Sequence, residues 1–129
     1  MTDAMSYTFY LKENDLIEAS HFPVTALFNE AANDDLAKFY ANLSAGIGSG
    51  YNYTVCYFWD ELDEYDKANT EHFEGVCIET ETNEKVIVSY EQMLAYMKLT
   101  SERYCAECPE KEAELAQFIG EFASKYIGS

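Results

Sequence analysis

The chain is 129 residues long, the length of one domain and too short for two independent cores. Hydrophobic residues make up 48% and aromatics 16%, which supplies a core and excludes intrinsic disorder. Twenty-four Asp and Glu against eight Lys and Arg leave a formal net charge of −16. A field of that sign repels nucleic-acid phosphates and anionic membrane surfaces and favours a basic partner.

The opening Met1-Thr-Asp-Ala-Met-Ser has neither a basic start nor an apolar run, so no signal peptide is expected. No window approaches the length of an apolar membrane span. Without a secretion signal, the four cysteines (Cys56, Cys77, Cys105 and Cys108) are expected as reduced thiols in a cytoplasmic protein.

Residues 6–11 alternate Tyr7, Phe9 and Leu11 with Ser6, Thr8 and Tyr10, the period of a short strand. Pro23 suits the first position of a helix whose stripe is Val24, Leu27, Phe28 and Ala31. Asn33 is the expected cap of a second helix, with Asp34 and Asp35 at its positive end. Its stripe runs Leu36, Phe39, Tyr40, Leu43 and Ile47, and Gly46-Ile-Gly-Ser-Gly50 ends it. Residues 51–59 are rich in β-formers on both faces, as in a central strand.

Residues 60–72 read as an acidic loop or frayed turn. Residues 75–80 and 85–89 form a hairpin about Glu81-Thr-Asn-Glu84. Ser89 and Gln92 make a capping box ahead of a helix carrying Tyr90, Met93, Leu94, Met97, Tyr104 and Cys105. Pro109 breaks that helix and opens the last one, with Leu115, Phe118, Ile119, Phe122 and Tyr126 on its stripe and Lys125 and Gly128 at its close. The expected fold is α+β: a small antiparallel β-meander packed against about four helices, as a single domain over residues 1–129.

Motifs for catalysis or metal binding are weak. The Gly46-x-Gly48-x-Gly50 run follows a helix and precedes a strand, the reverse of a phosphate-binding loop, and reads as a helix stop plus a flexible connection. Cys105-Ala-Glu-Cys108 falls at a helix C-terminus, where the dipole raises a thiol pKa, and no second paired spacing completes a zinc site. His21 and His72 stand alone. Arg103, the one arginine, is expected mid-helix facing nearby glutamates. No D-x-[DN]-x-[DN]-G loop suggests calcium. Neither a cofactor nor an enzymatic activity is expected.

Residues 60–84 are different. They hold ten carboxylates (Asp60, Glu61, Asp63, Glu64, Asp66, Glu71, Glu74, Glu79, Glu81 and Glu84) against Lys67 alone, a net −9 of the total −16. A short run of charge is usually just a solvated face. At this density the self-repulsion argues for a function, and Trp59, Tyr65 and Phe73 interleave with the charges. Such a surface steers in a basic protein, while neighbouring aromatics supply the buried anchors of an interface.

Phe22-Pro-Val with Phe28-Asn29, the Gly46-Ile-Gly48 turn, Phe73-Glu-Gly-Val76 and Val86-Ile-Val-Ser-Tyr90-Glu follow one another along the chain. Tyr96-Met-Lys-Leu99, Arg103-Tyr104 and Pro109-Glu110 complete the series. In this order they resemble the immunity proteins of contact-dependent growth inhibition (CDI) systems, which protect bacteria from a ribonuclease toxin. The resemblance implies a small cytoplasmic monomer without catalysis, binding the C-terminal nuclease domain of a large secreted toxin as a heterodimer.

A ribonuclease needs a basic RNA cleft, and the acidic segment is suited to fill it. Trp59, Asp60, Glu61, Asp63, Glu64, Tyr65, Asp66, Glu71 and Glu74 are therefore the expected toxin-binding residues, with Trp59 and Tyr65 as anchors. An acidic DNA mimic that inhibits a DNA-binding protein is the alternative, although it would spread its carboxylates along an elongated surface. A hydrolase using a carboxylate pair is the enzymatic one.

Overall fold

In the computed structural model, which describes residues 8–127, α1 (Phe22–Ala32) carries Pro23 in its first turn, where an absent N–H costs nothing. It buries Val24, Leu27, Phe28 and Ala31. α2 (Leu36–Ser44) is capped by Asp35, whose carboxylate accepts the Lys38 N–H at 3.1 Å. Asn33, the cap expected from the sequence, instead closes α1.

Leu36, Phe39, Tyr40 and Leu43 are fully buried, whereas Ile47 lies past the helix and is exposed. Gly46, at φ 77°, turns the chain out of α2. Its N–H bonds the Leu43 carbonyl at 3.1 Å and that of Ile47 bonds the Asn42 carbonyl at 2.8 Å. This pairing satisfies the last carbonyls of the helix.

The sheet has four antiparallel strands in the order β1-β2-β3-β4: β1 (Ser49–Gly50), β2 (Thr54–Phe58), β3 (Val76–Thr80) and β4 (Lys85–Val88). β2 is an interior strand, as its β-formers predict, but starts at Thr54 rather than Tyr51. The register sets Cys56 beside Ile78 and Phe58 beside Val76, and carries both rows on to Val86 and Val88. That face turns to the helices. The opposite face carries Val55, Tyr57, Cys77, Glu79, Lys85 and Ile87, as the two-residue period requires. α1 packs on β2 and β3.

β1 falls inside the glycine run, so that run is more than a flexible connection. A Cβ on Gly48 would stand 2.1 Å from the Cys56 carbonyl oxygen, and only glycine permits that approach. The acidic segment likewise holds more than a loop: a 3₁₀ turn (Trp59–Glu61) and a short helix, α3 (Glu64–Ala68).

α4 (Tyr90–Glu107) starts on the expected capping box. The Gln92 N–H bonds Ser89 Oγ at 3.1 Å and the Ser89 N–H bonds Gln92 Oε1 at 3.2 Å. It buries Met93, Met97 and also Tyr96, which the expected stripe omits. A 3₁₀ turn (Pro109–Lys111) leads into α5 (Glu112–Tyr126), which packs against α2 and α4 and buries Leu115 and Phe122. Gly128 lies outside the described residues. Among the described residues the architecture is α+β, with five α-helices and one antiparallel sheet. Among the described residues, no helix is long and apolar enough to cross a membrane.

The strand expected over residues 6–11 is absent from its described part. The chain bends at Tyr10 and Leu11, and the backbone of Thr8, Tyr10 and Leu11 pairs with side chains of α1 and its C-cap. Asn29 Oδ1 accepts the Tyr10 and Leu11 N–H groups at 2.8 and 2.9 Å, and its Nδ2 donates to the Leu11 carbonyl at 2.8 Å. Asn33 does the same for Thr8, one turn further on. Ser6 and Tyr7 lie outside the described residues.

Candidate functional site

The acidic segment begins in the connection from β2 to β3, which holds seven of its ten carboxylates; Glu79 lies on β3 and Glu81 and Glu84 in the turn to β4. Leaving β2, the chain makes its 3₁₀ turn at Trp59–Glu61, and Glu61 folds back. Its Oε1 accepts the Phe58 N–H and its Oε2 the Gly48 N–H, both at 2.9 Å. Both oxygens thus clip the glycine run to the end of β2. Asp63 caps α3 by accepting the Asp66 N–H at 2.8 Å. Two of the nine expected binding residues therefore hold backbone in place.

Six of the other seven face water, and Trp59 is half-buried. α3 projects Glu64, Tyr65 and Asp66 outward, and Tyr65 is 74% exposed. Asp60, Glu71 and Glu74 are also exposed. Among the described residues, the side chains of Asp60, Glu64, Asp66, Glu71 and Glu74 make no hydrogen bond and no ion pair. The ion pairs lie elsewhere, at Arg103–Asp15, Lys111–Glu114 and, when His21 is protonated, His21–Glu18. Among the described residues, no ion pair neutralises the negative charge of this connection.

Phe73, only 6% exposed, anchors the return toward β3. Its ring stands edge-to-face with Trp59 at 5.5 Å and Tyr57 at 6.1 Å. His72 meets Trp59 at 4.7 Å. Trp59 is consequently a half-buried ring braced from the far end of the connection, and Lys67 Nζ lies 6.0 Å from its centroid.

Three of the expected residues converge. Trp59, Asp60 and Glu74 line one cleft of about 300 Å³, closed on its other side by Tyr90, Lys125 and Tyr126. Burial raises the pKa of the Tyr126 phenol, and the charges of Tyr90, Asp60 and Glu61 push it further in the same direction. Glu64, Tyr65, Asp66 and Glu71 do not line this cleft. The sequence reading missed the wall from α5, because Tyr126 lies far along the chain and reads as a core stripe residue. A separate groove of about 540 Å³ near the N-terminal segment, lined by Leu11, Ala26 and Tyr53 among others, shares no residue with the acidic connection.

Other candidates for chemistry are absorbed by the fold. His21 is buried, with Nδ1 2.8 Å from the Tyr96 hydroxyl. That hydroxyl accepts the Ile17 N–H at 2.8 Å, which leaves its own proton for the imidazole. Arg103 does not face glutamates, as the sequence suggested. It makes a two-pronged pair with Asp15 at 2.7 and 2.9 Å and donates to the Tyr10 carbonyl at 2.7 Å. Cys108 is the C-cap residue of α4, and Cys105 lies one turn before it.

A profile of the family described as CDI immunity protein matches residues 7–119. No curated protein matches the chain.

Proposed function

The chain belongs to the CDI immunity protein family, whose profile spans 7–119 of its 129 residues, and on that premise we propose that it binds the C-terminal ribonuclease domain of its cognate toxin in the cytoplasm and excludes RNA from it, with no catalysis of its own. Family membership carries immunity to a toxin and hence a toxin partner. One observation supports the finer reading: five exposed carboxylates without partners among the described residues, gathered on one connection beside the exposed ring of Tyr65.

A ribonuclease attracts RNA through a basic cleft, and carboxylates can stand there in place of phosphates. Asp60, Glu64, Asp66, Glu71 and Glu74 supply the charge, while Trp59 and Tyr65 supply anchors. Glu61 and Asp63 keep the connection in shape. Charge gathered on one connection fits a single cleft better than the elongated surface of a DNA mimic. The commitment of Arg103 to Asp15 leaves no arginine to stabilise a reacting anion, in keeping with an inhibitor.

The test is co-expression. The C-terminal domain encoded immediately upstream of this gene is produced with and without the chain, and cellular RNA is followed. RNA degraded by the domain alone and intact on co-expression is the expected result. Intact RNA in both cases, or degradation that the chain fails to prevent, contradicts the reading.

A further inference from the structure

The cleft between the acidic connection and α5 combines features that charge alone does not explain. Trp59 is braced by Phe73 and His72 at 5.5 and 4.7 Å, and Tyr126 stacks on Tyr90 with centroids 4.4 Å apart. The walls are therefore stiff aromatic rings, and the cleft is formed before any partner arrives. Asp60 and Glu74 line the same cleft, and neither carboxylate has a hydrogen-bond or ion-pair partner among the described residues.

The free chain already brings cations to these rings. Lys67 Nζ lies 6.0 Å from the Trp59 centroid and Lys125 Nζ lies 5.5 Å from that of Tyr126. Both distances fall within reach of a cation–π attraction. Neither ammonium forms an ion pair among the described residues, so each is lightly held.

We propose that this cleft receives one arginine side chain from the toxin's basic surface, with Trp59 giving the ring face and Asp60 and Glu74 the carboxylates. The inference rests on the toxin-binding reading above and names the partner chemistry at that site. Arginine fits better than lysine for a physical reason. A guanidinium is planar and weakly hydrated, so it can stack on an indole while its N–H fork reaches a carboxylate; an ammonium keeps its water. A cleft of about 300 Å³ holds one such side chain. Lys125, which lines the cleft, yields its place on the Tyr126 ring as it enters.

Trp59 is the only tryptophan in the chain, so its fluorescence reports on the cleft directly. The experiment titrates the full chain with N-acetylarginine amide, N-acetyllysine amide and N-acetylcitrulline amide, the last being the uncharged isostere of arginine. Expected is a saturable change in Trp59 emission with the arginine amide, weaker with lysine and absent with citrulline. Asp60→Asn and Glu74→Gln, both exposed positions, should each weaken it about three-fold.

Lys125→Ala should strengthen it about two- to five-fold by removing an internal competitor, while Lys98→Ala, the same charge change on α4, should not. An equal response to citrulline, no response to arginine, or indifference to Asp60→Asn and Glu74→Gln would overturn the proposal. No toxin is present in this assay, so its failure leaves the co-expression result, and the reading that rests on it, untouched.

Discussion

Asn29 ties the N-terminal segment to the fold with one amide. Nearly fully buried on α1, it accepts two N–H groups and donates to one carbonyl of residues 10 and 11. Asn29→Ala would leave these groups buried without partners, and a loss of about 3 kcal/mol is expected in urea unfolding. Arg103 holds the same segment from α4, through the Tyr10 carbonyl and the Asp15 carboxylate. The hydrogen bond from Arg103 keeps the Asp15 carboxyl below its ordinary value. The stability it contributes is therefore present above the unfolded-state value and is lost as pH falls through the folded one.

Asp15→Asn should lower stability at pH 7 by about 1 kcal/mol, since the pair is partly exposed. The difference from wild type should shrink as the pH drops through and below about 4. A gap that stays constant or widens would contradict the assignment. Neither contact was legible in the sequence. The alternation through residues 6–11 suggested a strand, but in its described part Phe9 is exposed, Tyr10 and Leu11 are both buried, and the chain bends there to meet an asparagine on a helix. Glu61, likewise, reads as one more surface charge until the fold brings Gly48 within its reach.

At the level of elements, the stripes on α1, α2, α4 and α5 were legible because each buries against a single core, which imposes a 3.6-residue period. The capping box at Ser89 and the hairpin at residues 76–88 were legible because their signals are local. α3 was masked by its charge, although Asp63 followed by Glu64 and Asp66 is the pattern of a helix start. β1 was masked by its glycines. Their reason is close packing, as Gly48 shows. Gly48→Ala forces a methyl against the Cys56 carbonyl, at 2.1 Å before any relaxation. It should cost about 2 kcal/mol or more, read as a lower thermal midpoint, and it should loosen the Glu61 clip that shapes the acidic turn. A thermal midpoint equal to that of wild type would refute this account of the turn.

Over the whole molecule, the charge is distributed unevenly, and the fold turns that unevenness into a surface. The connection from β2 to β3, residues 59–75, holds seven carboxylates against Lys67, a net −6, and five of them have no hydrogen-bond or ion-pair partner among the described residues. Which acidic residues are free, and which hold backbone, could be read only from the structure. On the proposed reading, such a surface would speed encounter with a basic partner, and the exposed ring of Tyr65 would govern departure. Tyr65→Ala should accordingly raise the dissociation rate and leave the association rate nearly unchanged.

The most direct test of the account is the association rate of the chain with its toxin domain, measured by stopped flow at low and high salt. The measurement is repeated for the triple substitution Asp60→Lys, Glu64→Lys and Asp66→Lys, which spares the caps at Glu61 and Asp63. The account predicts a wild-type rate that falls steeply with salt, and a variant slower by about ten-fold or more at low salt with that dependence largely lost. Equal rates for the two proteins, with equal salt dependence, would contradict it and place the toxin on another face.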